Sequence, residues 1–382
     1  MKFALRCNKA KETAIILTLT PKAETVGRFA ATFETLNKAI DARCFPGCAF
    51  GALSNGEVLL AGSLGRFTYE SDAPIAQPGT VYDVASLTKV TATTAAAMLL
   101  HQRGLLDLET PLGDLLPGFV VAREPGEQAG KVTLLHLLAH SSGLPGYVEL
   151  FRGTPTPSKL YRAILQLPLE APPGTRAEYS DPGFILLGKA LEVLTGEYLA
   201  SWASREVFAP LGLAATCFCP PAEVRAFIPP AEEDETLRHR RIQGEVQDEH
   251  AWLLKGAAGH AGVFSNVPDL LRFADEILHA GESGRLFTRE TIELFAHRPG
   301  PAGSSRALGW DTPSANSSSG CHFSSHSIGH LGYSGCSLWI DLDAKIAMVL
   351  LTNRTWPDRS PASRQLIREV RPAFHDTLWI AL

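Results

Sequence analysis

The sequence has no apolar run of the roughly 18 residues that a membrane-crossing helix needs, so no membrane span is expected. It has no large excess of either charge. Its 35 basic and 40 acidic side chains leave a formal net charge of -5, which offers nucleic acid no electrostatic footprint. The seven cysteines, Cys7, Cys44, Cys48, Cys217, Cys219, Cys321 and Cys336, are odd in number and scattered, which argues against a disulfide framework. Cys217 and Cys219 form only a C-x-C, with no second pair at zinc spacing, so small core or surface thiols are expected. A secretory core is also missing. The best N-terminal candidate, Ala14 to Thr20, is short, follows Lys9, Lys11 and Glu12, and leads to no clear small-residue cleavage site. The mature chain is therefore expected to begin near Met1 and to reside in the cytoplasm.

What remains describes a globular chain: 382 residues, 45% hydrophobic and 20% charged, with mean hydropathy of +0.03. That length suits two lobes sharing a core. Val26 to Ala42 repeats Phe29, Phe33, Leu36 and Ile40 at helical spacing, and Pro46-Gly47 stops it. Cys48 to Ser54 and Glu57 to Gly65 read as strands of a hairpin turning at Asn55-Gly56. Ser86 to Gln102 reads as a helix apolar on nearly every side, hence buried.

From about 105 to 255 the chain is dense in Pro and Gly. It carries short helical patterns at Thr133 to His140, Lys159 to Leu167, Phe184 to Thr195 and Leu199 to Phe208, with no strand repeats. The acidic cluster Glu232 to Glu235, beside Arg238, Arg240 and Arg241, is expected to be a solvated loop. Helical spacing returns from Pro268 to His279. Gly335 to Asp341 and Lys345 to Thr352 read as adjacent antiparallel strands, and a last helix is expected from Pro361 to Val370. The expected class is α+β. An antiparallel sheet flanked by helices is built from 26–104 and 256–382, a mostly helical lobe of 105–255 is inserted, and a ligand cleft lies between.

Three elements carry chemistry. In Ser86-Leu87-Thr88-Lys89 a helix places the hydroxyl and the amine on one face. A helix start supplies free N–H groups and a positive dipole end for negative charge developing there. Serine needs an adjacent base, and a buried lysine can serve because desolvation penalises its charged form. In Tyr179-Ser180-Asp181 the phenol could exchange protons with Ser86 and then protonate a leaving group. In Gly329-His330-Leu331-Gly332, next to or on a strand, glycines let substrate backbone approach. The N–H of Tyr333 could then pair with that of Ser86 as an oxyanion hole, with Gly332 and Asp181 as substrate contacts. His330 could assist protonation or hold a substrate carboxylate.

These three elements, in this order, resemble the motifs of the penicillin-recognising serine hydrolases. Four flanking segments share the resemblance: His136 to Pro145, Gly259 to Ser265 with Asp269-Leu270, Leu308-Gly309-Trp310, and Leu338 to Asp341. The likeness covers about residues 28 to 375. It implies a class C β-lactamase-like fold, acylation of Ser86, hydrolysis by water, Lys89 and Tyr179 as acid–base groups, and no metal or organic cofactor. Such families include β-lactamases, D-alanyl-D-alanine carboxypeptidases, esterases and peptidases.

Two departures bear on the substrate. Leu331 stands where Thr is usual, and Asp181 where class C β-lactamases have Asn. An ionised carboxylate donates no side-chain hydrogen bond and repels anions. Both changes are expected to disfavour carboxylate-bearing β-lactams and to fit a small neutral ester or amide. The partner is then a small-molecule ester, amide or peptide, with no nucleic acid or membrane; oligomeric state is not legible. The alternatives are a D-alanyl-D-alanine carboxypeptidase or β-lactamase, and, from another class, a non-catalytic scaffold on the same fold. His136 and His140 lack the zincin Glu, because Leu137 follows His136. Gly332 to Cys336 approaches a G-x-S-x-G elbow but ends in Cys. Asp248-Glu249-His250 is expected to ion-pair at a lobe surface.

Overall fold

The computed structural model describes residues 27–121, 128–315 and 317–382. The apolar N-terminal segment, Val26 and Cys7 lie outside them. The described strands run in chain order as β1 Gly47–Ser54, β2 Glu57–Gly65, β3 Tyr82–Asp83, β4 Cys217–Phe218, β5 Glu232–Asp234, β6 Arg240–Ile242, β7 Val263–Ser265, β8 Ser327–Leu331, β9 Ser337–Asp341 and β10 Ile346–Thr352. The main sheet has the order β2-β1-β10-β9-β8, antiparallel throughout. Asn55 and Gly56 have φ of 48° and 81°, the left-handed pair that a two-residue hairpin requires.

Side chains alternate across this sheet. On β10, Met348 and Leu350 face one apolar cluster, while Ala347, Val349 and Leu351 face another. Trp339 of β9 joins the first, and Leu338 and Ile340 join the second. The first cluster is closed by the helix Ala30–Asp41 and the C-terminal helix Pro361–Ala381. The second is closed by Val267–Leu278 and Ala95–Gln102, and it continues into Leu160, Phe184 and Leu187 of the middle of the chain. A sheet covered on both faces explains why β10 reads as an unbroken apolar run.

The structure departs from the sequence reading at four places. The helix expected from Ser86 begins as a 3₁₀ turn over Ala85–Leu87 and a π-helical stretch over Lys89–Thr94, and becomes α-helical only at Ala95. The middle of the chain does contain strands, since β4 pairs with β7, which also pairs with β3, and β5 pairs with β6. These runs of two or three residues are too short to show a period. The C-terminal helix continues past Pro372 because Phe374, His375 and Leu378 beyond it are buried, and packing outweighs the lost N–H.

The acidic cluster is the fourth. It is a hairpin whose alternate carboxylates point inward, with Glu232 and Asp234 buried to 3% and 2% exposure. Arg238 Nε donates to Asp234 at 2.6 Å, and its other nitrogens donate to the carbonyls of Val246 and Gln247. Arg359 donates to both oxygens of Glu232 and to Glu249. A charge run with period two hides its partners, which lie more than 100 positions away in the case of Arg359. Arg238→Ala would leave Asp234 buried without its cation, so a loss of about 3–5 kcal/mol is expected in urea unfolding. A loss below about 1 kcal/mol would restore the solvated-loop reading.

Candidate active site

Strand β3 delivers the chain to Ser86 through a strained turn. Ala85 has φ of +49°, a left-handed conformation that a residue with a Cβ adopts only when its surroundings enforce it. The enforcement is visible. Asp83 accepts from the N–H of Ala85 at 2.8 Å and from that of Gln247 at 2.7 Å. Thr88 Oγ1 donates to the Ala85 carbonyl and accepts from the Val263 N–H. Burial raises the Asp83 carboxyl to about 6, with its two N–H donors opposing.

Lys89 is fully buried one turn on. Its Nζ donates to Asp181 Oδ1 at 2.6 Å, to Ser86 Oγ at 3.1 Å and to the His260 carbonyl at 3.2 Å. The last contact depends on Gly259 packing against the Asp181–Thr195 helix. A Cβ at Gly259 would stand 2.0 Å from the Phe184 carbonyl and 3.0 Å from Gly188, so this crossing admits only glycines. Burial opposes the lysine charge, but the Asp181 carboxylate and then Tyr179 more than offset it, and the group titrates above its ordinary value. The sequence reading took burial alone into account and expected the opposite direction; the missing ingredient was the partner carboxylate.

Tyr179 reaches the same point from the loop before that helix. Ser180 caps the helix by accepting from Gly183 N–H, and its own N–H donates to His140 Nδ1 at 2.9 Å. The Glu178 N–H donates to the His140 carbonyl. The tyrosine ring lies between His140 and His330, with centroids at 4.7 and 5.8 Å, and the Arg306 guanidinium stands 5.2 Å from its centre. Its hydroxyl faces Lys89 and Ser86, and burial holds the phenol above its ordinary range.

His330 sits on β8 as expected, but it is buried and far from cationic. Its Nδ1 pairs with the Leu331 carbonyl at 2.8 Å, and burial plus the Lys89 charge hold it well below the usual imidazole range. Gly332 touches the strained turn: a Cβ there would meet the Val84 carbonyl at 2.5 Å. The loop after it is pinned from behind. Arg371 donates to the carbonyls of Gly332, Gly335 and Cys336, and Arg354 to that of Tyr333. With those carbonyls turned toward the two arginines, the N–H of Tyr333 finds no acceptor among the described residues. Ser334, the serine of the near-miss elbow, is buried on the Asp83 carbonyl.

All seven residues singled out in the sequence, apart from Lys89, line one cleft of about 810 Å³, and Lys89 lies directly beneath it. The structure adds a wall that sequence reasoning missed: Arg354, Arg364, Arg368 and Arg371. Among the described residues none of the four has a carboxylate within ion-pair distance. On the other side Asp181, Asp248, Glu249 and Asp311 are each paired, with Lys89, His260, Arg359 and Arg306. Asp248 and Glu249, with Arg359, line the same cleft, so two residues of the cluster expected at a lobe surface face the site instead. Asp248, His250 and His260 bring one donor atom each within 4.8 Å of one another, the set best placed near the cleft to hold a metal ion. His136, by contrast, closes a capping box with Thr133, and His140 is occupied by Ser180.

A serine and a lysine in contact, a tyrosine over both and a glycine-bearing strand alongside keep together the three elements whose order resembles the penicillin-recognising serine hydrolases. The family model described as Beta-lactamase matches residues 29–371, and the chain belongs to that family. It is 30% identical over 346 residues to an N-acetylmuramyl-L-alanine amidase of Bacillus subtilis (strain 168), covering 81% of this chain and 77% of that protein. It is 29% identical over 322 residues to a putative D-alanyl-D-alanine carboxypeptidase of Salmonella typhi, covering 75% and 73%. Among solved structures it resembles EstCE1, a hydrolase with promiscuous acyltransferase activity, with a TM-score of 0.72, 21% identity and coverage of 92% and 100%. It also resembles the octameric penicillin-binding protein homologue from Pyrococcus abyssi, with a TM-score of 0.68, 22% identity and coverage of 88% and 75%. The protein is accordingly an enzyme, a β-lactamase-related hydrolase. No helix among the described residues is long and apolar enough to cross a membrane.

Replacing Arg371 with Met keeps the helix and most of the volume but strands the Gly335 carbonyl and leaves those of Gly332 and Cys336 with a single backbone donor each. A loss of about 1–3 kcal/mol in denaturant unfolding is expected, with the circular dichroism spectrum unchanged; unchanged stability would show that the loop is held by other means.

Proposed function

We propose that this protein cleaves an amide or ester through a covalent acyl–Ser86 intermediate, and that the group it recognises beside the scissile bond is anionic. The 3.1 Å contact between Ser86 Oγ and Lys89 Nζ carries the first part. After the Lys89–Tyr179 cluster has lost one proton to solvent, Ser86 Oγ bonds to the carbonyl carbon and its own proton passes to that cluster. The N–H groups of Ser86 and Tyr333 receive the oxyanion. On collapse the bond to the leaving nitrogen or oxygen breaks, and Tyr179 returns the proton to that atom. Water, deprotonated by the same cluster, then attacks the acyl carbon and releases Ser86.

The arginine wall supports the second part. Arg364 and Arg368 are exposed on one face of the C-terminal helix, and Arg354 and Arg371 stand behind them, bound only to neutral atoms. Four guanidinium groups without protein counter-charge favour a carboxylate-bearing ligand. They outweigh the expectation of a neutral substrate drawn from Asp181 and Leu331, because the Asp181 charge is already matched by Lys89. The amidase relative supports an amide, and N-acetylmuramyl-L-alanine, which ends in a free carboxylate, is the first substrate to test. The same wall keeps the carboxypeptidase and β-lactamase readings in the comparison.

A fluorophosphonate probe should label Ser86, and Ser86→Ala should abolish labelling; a protein that never labels is a scaffold. With N-acetylmuramyl-L-alanine, a D-alanyl-D-alanine peptide, nitrocefin and a neutral p-nitrophenyl ester side by side, turnover should be greatest for a carboxylate-bearing amide. Arg364→Ala with Arg368→Ala should raise its KM roughly tenfold or more, a change of about 1.4 kcal/mol, and leave the neutral ester unaffected. Preference for the neutral ester, unchanged by the arginine substitutions, would remove the anionic assignment.

A further inference from the structure

We propose that Asp248, His250 and His260 form a binding site for one divalent cation of the zinc class, opening onto the cleft. The site is independent of the proposed role of Ser86, and no step of the acyl transfer passes through it.

The three residues bring one donor atom each within 4.8 Å of one another. Donors around a single zinc at about 2.1 Å lie roughly 3.4 Å apart, so side-chain shifts of about an ångström bring all three onto one ion. One contact is already shorter than that: His260 Nε2 stands 2.8 Å from Asp248 Oδ1. Two imidazoles and a carboxylate suit zinc and its neighbours in the transition series, whereas calcium and magnesium take oxygen donors.

Each of the three has an atom that the protein leaves uncommitted. His250 and His260 are buried to 3% and 1% exposure, and His250 Nε2 and His260 Nδ1 have no hydrogen-bond partner among the described residues. In a neutral His260 whose Nε2–H donates to Asp248, Nδ1 carries only a lone pair. Asp248 Oδ1 also accepts from the Ala251 N–H, and its Oδ2 takes no hydrogen bond among the described residues. Buried polar atoms without partners are costly, and a bound cation removes that cost. An imidazole that ligates through one nitrogen commonly donates from the other to a carboxylate. The other gathered set, Cys321, His322 and Asp376, lies at the surface and has no such orphaned buried atom.

The backbone holds these side chains in place. Asp248 caps the helix Glu249–Leu253, which carries His250. The rings of Tyr147 and Phe151 pack 5.6 and 5.7 Å from that of His250. His260 follows the close crossing at Gly259, and two residues on a Cβ at Gly262 would stand 2.4 Å from the Gly256 carbonyl. Asp248 lines the cleft with its side chain 21% exposed, which gives an ion its entry path and leaves a coordination position for water or a ligand atom. The ion would clip the Asp248–His250 turn to the segment whose carbonyl accepts from Lys89.

The test uses the full chain carrying Cys321→Ser and His322→Ala, which removes the competing set. Zinc affinity is read by competition with a chromophoric chelator, and coordination by the visible spectrum of the cobalt(II) form. The ligands are read by 15N NMR of histidine-labelled protein. About one zinc per chain should bind. Cobalt should give visible bands without thiolate charge transfer, and the ring nitrogens of His250 and His260 should shift. His250→Ala, His260→Ala and Asp248→Asn should each weaken zinc binding at least about tenfold. Where an alanine variant does not fold, His250→Gln or His260→Gln takes its place. A parent that binds no zinc overturns the site, as does binding that persists in both histidine variants. Ser86→Ala should bind zinc as the parent does, so failure of the acyl–serine proposal leaves this result standing, and the reverse holds.

Discussion

One buried ammonium organises this molecule. Removing Lys89 from water is costly, and the cost is offset only by a neighbouring charge and a full set of acceptors. Each of those acceptors comes from a different part of the chain: Ser86 from the strained turn, Asp181 from the start of a helix in the middle, and the His260 carbonyl from the glycine segment before β7. Satisfying one side chain thus requires three distant segments to be in place together. Ser86, the Tyr179 phenol and the glycine strand fall into register as a result, because each is fastened to one of those segments.

A second buried polar network runs beneath the first. Asp83 holds the turn before Ser86 and also the Gln247 N–H, and the Gln247 side chain reaches Glu232, which binds Arg359. Arg359 binds Glu249 in turn. The hairpin of β5 and β6 is tied to the nucleophile's support by charge rather than by apolar packing. The floor of the cleft is therefore rich in groups that need fixed partners, and such networks specify one arrangement more sharply than they stabilise it.

Much of this was legible because local chemistry agreed with the global fold. Asn55-Gly56 announced its hairpin, the runs Gly335 to Asp341 and Lys345 to Thr352 announced adjacent antiparallel strands, and Ser86, Lys89, Tyr179 and His330 stood out by residue type and order. What escaped the sequence was pairing over distance. The charge of Lys89 depended on Asp181, the burial of Glu232 and Asp234 depended on Arg359 and Arg238, and neither relation follows from spacing. Arg364, Arg368 and Arg371 share a helical face that could have been read. Ending that helix at Val370 hid the third of them, and nothing local marked Arg354 as their neighbour.

The pairing of Cys48 with Thr352 joins β1 to β10, about 300 residues further along. A ribosome makes the β1–β2 hairpin early, yet the central strand against which β1 lies is among the last segments to emerge. During that interval one side of β1 is an unpaired, apolar strand edge, the kind of surface that invites association with other chains. Ser86 and Lys89, made early as well, lack the Asp181 carboxylate until the middle of the chain arrives, and the His260 carbonyl and the Tyr333 loop until the C-terminal third does. Newly made chains of this enzyme should thus be inert until they are nearly complete, and their passage through that exposed stage should set the yield of folded protein in the cell.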